Sequence, residues 1–144
     1  MQVTHAVDYG VRALMFMARH PVGTRHYLQN VAEQARLPRN YLVKVLKGLT
    51  GQGIVRPHRG INGGFSLARD PREISLRQVI EAIDGPVTVV HCLTDPRRNG
   101  ACPNSGRCAA QVLLSRVRHD LLTALASYTL ADLVAIQKEL EAPP

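Results

Sequence analysis

Apolar residues recur with a helical period over most of the chain. Val7, Val11, Leu14 and Ala18 are spaced four, three and four apart, which predicts a helix from about Asp8 to His20, closed by Pro21 and Gly23. Leu28, Val31, Ala32 and Ala35 predict a second, shorter helix. After Leu37 and Pro38 the stripe resumes at Leu42, Val45, Leu46 and Leu49, with Pro38 suited to the first turn, where a missing N–H costs nothing. Gly51 and Gly53 stop this third helix. The period then shortens. Ile54–Arg59 and Phe65–Ala68 are β-compatible, and the "GINGG" between them is hairpin turn chemistry.

Ser75 and Gln78 form a capping-box pattern ahead of Val79, Ile80 and Ile83, and Gly85 and Pro86 close that helix. A long helix is expected from Ala109 to Tyr128. In it Ala110, Leu114, Val117, Leu121, Ala124 and Tyr128 form a heptad seam, and Leu113, Leu122 and Leu125 add a second stripe. A helix with two apolar faces needs two partners, its own core and a second copy of the chain. Leu114, Val117 and Leu121 are therefore candidates for a subunit interface. Thr129 with Asp132 caps a last helix to about Leu140. The expected fold is mainly α with a small β-hairpin wing: a winged helix-turn-helix over residues 1–85, a cysteine-rich stretch over 86–108, and a dimerisation helix with a C-terminal helix over 109–144.

Composition narrows the function. Hydrophobic residues make up 45% of the 144, enough for a core, while the 4% of aromatics leaves that core to aliphatic side chains. The longest apolar run, Ala13–Ala18, lies between Arg12 and Arg19 and is too short to cross a bilayer. The first residues lack a signal-peptide pattern, so a cytoplasmic, reducing location without a membrane partner is expected. The net charge of +7 has a definite location. Arg36, Arg39, Lys44, Lys47, Arg56, Arg59 and Arg69 fall in a stretch without a single acid, and the other eleven basic residues balance all eleven acids. A charge kept for solubility would be spread out; this one is a footprint for a polyanion.

Double-stranded DNA is the polyanion the elements suit. The third helix would enter the major groove with Arg39, Asn40, Lys44 and Lys47 on its outer face. Arg and Lys pair with guanine or phosphate, and Asn can pair with adenine. Arg59 at the wing is placed for a minor groove or a phosphate. Tyr41 suits either a backbone contact or a packing role.

All three cysteines, Cys92, Cys102 and Cys108, have the spacing C-x9-C-x5-C. An odd number cannot pair off, and zinc modules bring closely spaced pairs that are missing here. Three thiolates in a Pro- and Gly-rich stretch suit an iron–sulphur cluster with a fourth ligand from elsewhere. Unligated or redox-active thiols, or a bound zinc, are the alternatives. An enzyme built on a cysteine and His91 is disfavoured, because adjacent side chains rarely point at each other and no paired-acid motif accompanies them. The remaining histidines, His5, His20, His26, His58 and His119, are expected at the surface.

"TH-AVDYGVRAL", "RNYLVKVLKGL", "RGINGGFSLAR", the triple-cysteine stretch and "YTLADLV" together resemble the iron–sulphur cluster regulators, the group containing the IscR and NsrR repressors. The likeness spans nearly the whole chain and is nearest the nitric-oxide-sensitive branch. It implies a homodimer with crossed long helices, a palindromic operator, and a cluster near the dimer interface, of 4Fe–4S rather than 2Fe–2S type. It also implies that Asp8, supplied by the partner subunit, is the fourth ligand. The histidine that serves this role in the other branch is replaced here by Gln111. His91, beside Cys92, is a further candidate ligand.

Overall fold

The computed structural model describes residues 3–61, 63–93, 95 and 102–143. Asn62 of the wing turn, Thr94 and 96–101 of the cysteine stretch, and Pro144 lie outside the described residues.

Helix α1 runs His5–Ala18, starting earlier than the apolar period suggests. Thr4 sets the start: its hydroxyl accepts from the Val7 N–H at 3.3 Å and donates to Asp84 at 2.8 Å. Helices α2 (Leu28–Gln34) and α3 (Arg39–Gly51) follow. Arg36, at φ +54°, turns the chain between them, and the buried Leu37 donates its N–H to Ala32. Pro38 stands just before α3, at the cap, not inside the first turn. The stripe Leu42, Val45, Leu46 and Leu49 is wholly buried.

Strands β1 (Val55–His58) and β2 (Gly64–Leu67) pair antiparallel, with Val55 opposite Leu67 and His58 opposite Gly64. The hairpin is tied down by a third strand-like contact. His26 and Phe65 exchange both backbone hydrogen bonds, at 2.7 and 2.8 Å. His26 is therefore buried, not on the surface as expected, and its ring packs edge-on against Phe16 and His20. The pairing is non-local, and so is invisible to periodicity.

Helix α4 (Leu76–Asp84) has the capping box formed by Ser75 and Gln78. A 3-10 turn, His91–Leu93, precedes the long helix α5 (Ala109–Ser127), and α6 (Leu130–Glu141) starts at a second capping box, Thr129 with Asp132. The two capping residues are neighbours in space. Ser75 and Thr129 form a backbone bridge in which Leu76 donates to Tyr128 and Leu130 to Ile74, both at 2.8 Å.

The main core joins Leu14 and Met17 of α1, Leu46 and Leu49 of α3, Ile54, Leu67, Ile74 and Leu130. A smaller core of Val7, Ile80, Val87 and Leu122 sits where α1, α4, the root of the cysteine stretch and α5 meet. The architecture is mainly helical with one hairpin, a winged helix-turn-helix carrying a long C-terminal helix.

Candidate nucleic-acid interface and cysteine site

Because α3 buries one stripe completely, its opposite face is fixed toward solvent. Arg39, Asn40, Tyr41, Val43, Lys44 and Lys47 are all exposed there. The Tyr41 ring is 59% exposed and meets Tyr9 of α1 edge-on at 6.0 Å, so it lies on the outer face and not in the core. Arg59 stands exposed just past β1, and Arg56, on the same strand, is exposed beside it. Net charge alone gives Arg56 no place; the strand alternation Val55-in, Arg56-out is the signal that puts it on the wing. Arg69 differs from the others: it is half-buried, and its Nε is shut from water without a hydrogen-bond partner among the described residues.

The ion pairs among the described residues are Arg12–Asp8, Arg19–Glu141, Arg72–Asp70 and Arg77–Glu81. None of them involves the acid-free stretch. Among the described residues, the basic side chains of α3 and the wing therefore have no acidic partner in an ion pair.

The three cysteines are free and half-buried. Cys92 is in the 3-10 turn and His91 beside it is exposed. Cys108 is the N-cap of α5, with its sulphur accepting from the Gln111 N–H at 3.4 Å, where the unpaired N–H groups of a helix start point. Asp8 is in the first turn of α1 and half-exposed, held by Arg12 at 2.9 Å. In donor chemistry the set fits an iron–sulphur group: three unpaired thiols are the soft ligands such a site needs. Within one chain, among the described residues, no three Cys, His, Asp or Glu side chains come together as a metal-holding group.

The root of the cysteine stretch is anchored by a residue that sequence reasoning missed. Arg118 of α5 donates to the Val87 carbonyl at 2.9 Å. It falls four residues from both Leu114 and Leu122, a lone arginine on an apolar stripe, and that was the available signal.

Residues 3–136 match the family model Rrf2, whose description is "Iron-dependent Transcriptional regulator". The chain belongs to the Rrf2 family. Its members are regulators of transcription that bind DNA, not enzymes. Among solved structures, IscR of T. potens is 25% identical, with a TM-score of 0.74 over 100% of this chain and 93% of that one. CymR, the global cysteine regulator of B. subtilis, is 24% identical, with a TM-score of 0.69 over 94% and 98%. CymR of Staphylococcus aureus in its oxidized form is also 24% identical, with a TM-score of 0.68 over 93% and 96%. These last two establish the shared fold.

For an Rrf2 chain the outer side of α5 is notable. Val112, Leu113, Val117 and Tyr128 are exposed, while Leu122 is the one α5 residue fully buried among those described. Leu114 and Leu121 are half-buried, and Leu121 packs on the smaller core. No helix of the described residues is long and apolar enough to cross a membrane.

Proposed function

We propose that this Rrf2 protein is a homodimeric repressor that reads a palindromic operator and whose affinity is set by an iron–sulphur cluster responsive to nitric oxide, redox state or cluster supply. The observation that carries the DNA half is the acid-free outer face of α3. There Asn40, Lys44 and Lys47 project together, with Arg39 and Tyr41 at one end and Arg59 on the wing. Asn40 and Lys44 suit base edges, while Lys47, Arg39 and Tyr41 suit backbone phosphates. The exposed apolar side of α5, with Val117 at its middle and Leu114 and Leu121 flanking it, is the surface for a second copy.

Cys92, Cys102 and Cys108 would hold the cluster, with Asp8 of the partner subunit as fourth ligand. When bound, the cluster supplies a group that reacts with nitric oxide and oxidants. The chain's own residues do the rest. Asp8 sits one turn from Thr4, which is bonded to Asp84, and Val7 packs on Val87 beneath the cysteine stretch. A change in what Asp8 contacts thus acts on the helix that supports α3, and a small change in the separation of two recognition helices is enough to lose half-sites about 34 Å apart. This is coupling between two sites through one interface.

A second reading is a zinc-bound or thiol-redox regulator without a cluster. It is favoured by the free, half-buried thiols, which are partly open to solvent and oxidant. Anaerobic purification followed by iron and sulphide analysis separates the two. Stoichiometric iron and sulphide, both lost in Cys92→Ala, Cys102→Ala and Cys108→Ala, support the cluster. Zinc, or no metal with reversible thiol oxidation, supports the second reading.

A further inference from the structure

The wing turn contains one residue that folding does not explain. Tight turns favour Gly, Asn, Asp, Ser and Pro. Gly63 obeys this: its N–H donates to the Gly60 carbonyl at 2.9 Å, and a Cβ there would lie 2.8 Å from the His58 carbonyl oxygen. Ile61 stands in the same turn and is 105% exposed, as free of neighbours as a side chain can be. A β-branched apolar residue at that point buries nothing in its own chain, which leaves its whole side chain available to a partner.

The surroundings say which partner. A cleft of about 500 Å³ separates Gly60 and Ile61 from Arg39 at the start of α3, and Tyr27, Gln29 and Asn30 line it. With α3 in a major groove, the sugar–phosphate strand that divides the two grooves must pass between α3 and the wing. Phenol, amide and guanidinium groups are the donors that grip such a strand. Ile61, on the far side of this cleft and next to the exposed Arg59 and Arg56, then falls in the minor groove.

We propose that Ile61 is an apolar wedge that enters the minor groove flanking each half-site and lodges at a base step there. The inference rests on the DNA-binding reading given above. Apolar side chains used this way unstack a step and bend the duplex, and pyrimidine–purine steps yield most easily. The operator therefore carries such a step under each wing.

The test starts from a random duplex pool from which the full-length protein selects its site, followed by hydroxyl-radical footprinting to locate the wing-protected sugars. Ile61→Ser is compared with wild type on that site and on a copy whose step under the wing is changed from TA to AA. Ile61→Ser should melt as wild type does, bind the selected site roughly tenfold more weakly, and bend it less by end-to-end energy transfer. Its salt dependence should be unchanged, since the substitution removes no charge. The AA copy should weaken wild type but leave Ile61→Ser where it was. Equal affinity and equal bend for wild type and Ile61→Ser on the selected site would overturn the wedge and leave the DNA-binding reading standing. If wild type enriches no sequence at all, that reading fails and the wedge with it.

Discussion

Gly48→Ala tests how tightly the recognition helix is seated. Helix propensity alone says that this change inside α3 should stabilise the protein by about 1 kcal/mol. The structure says the opposite. A Cβ at Gly48 would lie 2.7 Å from the carbonyl oxygen of Ala82 in α4, with the Ala82 carbonyl carbon at 3.6 Å and the Ile83 Cα at 3.7 Å. All three are backbone atoms, so no side-chain rotation relieves the clash. Reaching ordinary contact at 3.4 Å needs α3 and α4 to separate by about 0.7 Å. Overpacking of this kind costs about 1–3 kcal/mol, so the net effect is a loss of about 1 kcal/mol and a melting point lower by roughly 2–4 °C. Gly51→Ala is the control. It ends the same helix with nothing within 4 Å of its would-be Cβ, and should be neutral or slightly stabilising. Both are measured by urea denaturation followed by far-ultraviolet circular dichroism at one fixed protein concentration, because a dimer's stability depends on it. A Gly48→Ala protein as stable as Gly51→Ala would refute the close seating of α3 on α4.

Lys44→Ala should weaken operator binding and relax the sequence preference at one position, whereas Arg59→Ala, if it grips a phosphate, should weaken binding alike on all sequences and lower the salt slope by about one; unchanged affinity at moderate salt in both would remove the assigned DNA face. Val117→Glu places a charge at a point already 46% exposed in the single chain, so the monomer should fold while dimerisation loses several kcal/mol. Sedimentation identical to wild type would contradict the α5 seam. Burial, and secondarily the nearby His20, hold the His26 imidazole below its ordinary value near 6.5. The unfolded chain then binds the proton more readily, so this contribution is complete above about pH 6.5 and is lost as pH falls below it. Replacing His26 with Gln should flatten the decline in stability toward about pH 5, and a slope equal to wild type would show that His26 is not its source. Asp8→Ala should leave the iron–sulphur colour in place while uncoupling DNA affinity from cluster state, because a carboxylate is a weak, replaceable ligand at a soft site; a dependence that survives the change would remove Asp8 from the coupling.

The parts of this molecule that are local in sequence were legible there. Both capping boxes, Ser75 with Gln78 and Thr129 with Asp132, formed as written, because each needs only residues three apart. The Leu42–Leu49 stripe was legible because a period of 3.6 exposes its own buried face. The misplacements have non-local causes. Helix α1 begins at His5 because Thr4 caps it while bonded to Asp84 at the far end of α4. His26 is buried because β2 pairs with it across the intervening α2 and α3. The single seam read along α5 divides in the structure, where Leu121 leans on the smaller core and Val117 faces out. Of the cysteine site, the sequence singles out Cys92, Cys102 and Cys108 by their clustering, and His91 only by its place beside Cys92. Asp8 of the partner subunit as a fourth ligand rests on the resemblance alone, because ligands on separate elements leave no local spacing to read.

The backbone bridge between Ser75 and Thr129 brings the two ends of the segment holding α4, the cysteine stretch and α5 to one fixed point, while α4 itself packs on α1 and α3. Beyond that point Leu130 plugs straight back into the main core. Lengthening a closed loop costs little, about 0.6 kcal/mol for each doubling. Residues can therefore be added to or removed from the cysteine stretch without disturbing the unit that meets DNA, whereas a chain cut before Leu130 would leave a hole in that unit. Such a scaffold has a replaceable segment inserted in the middle of a reader that stays whole, and grafting a differently spaced set of residues between Leu93 and Cys108, beyond the buried and Arg118-anchored Val87, is the substitution it should tolerate best.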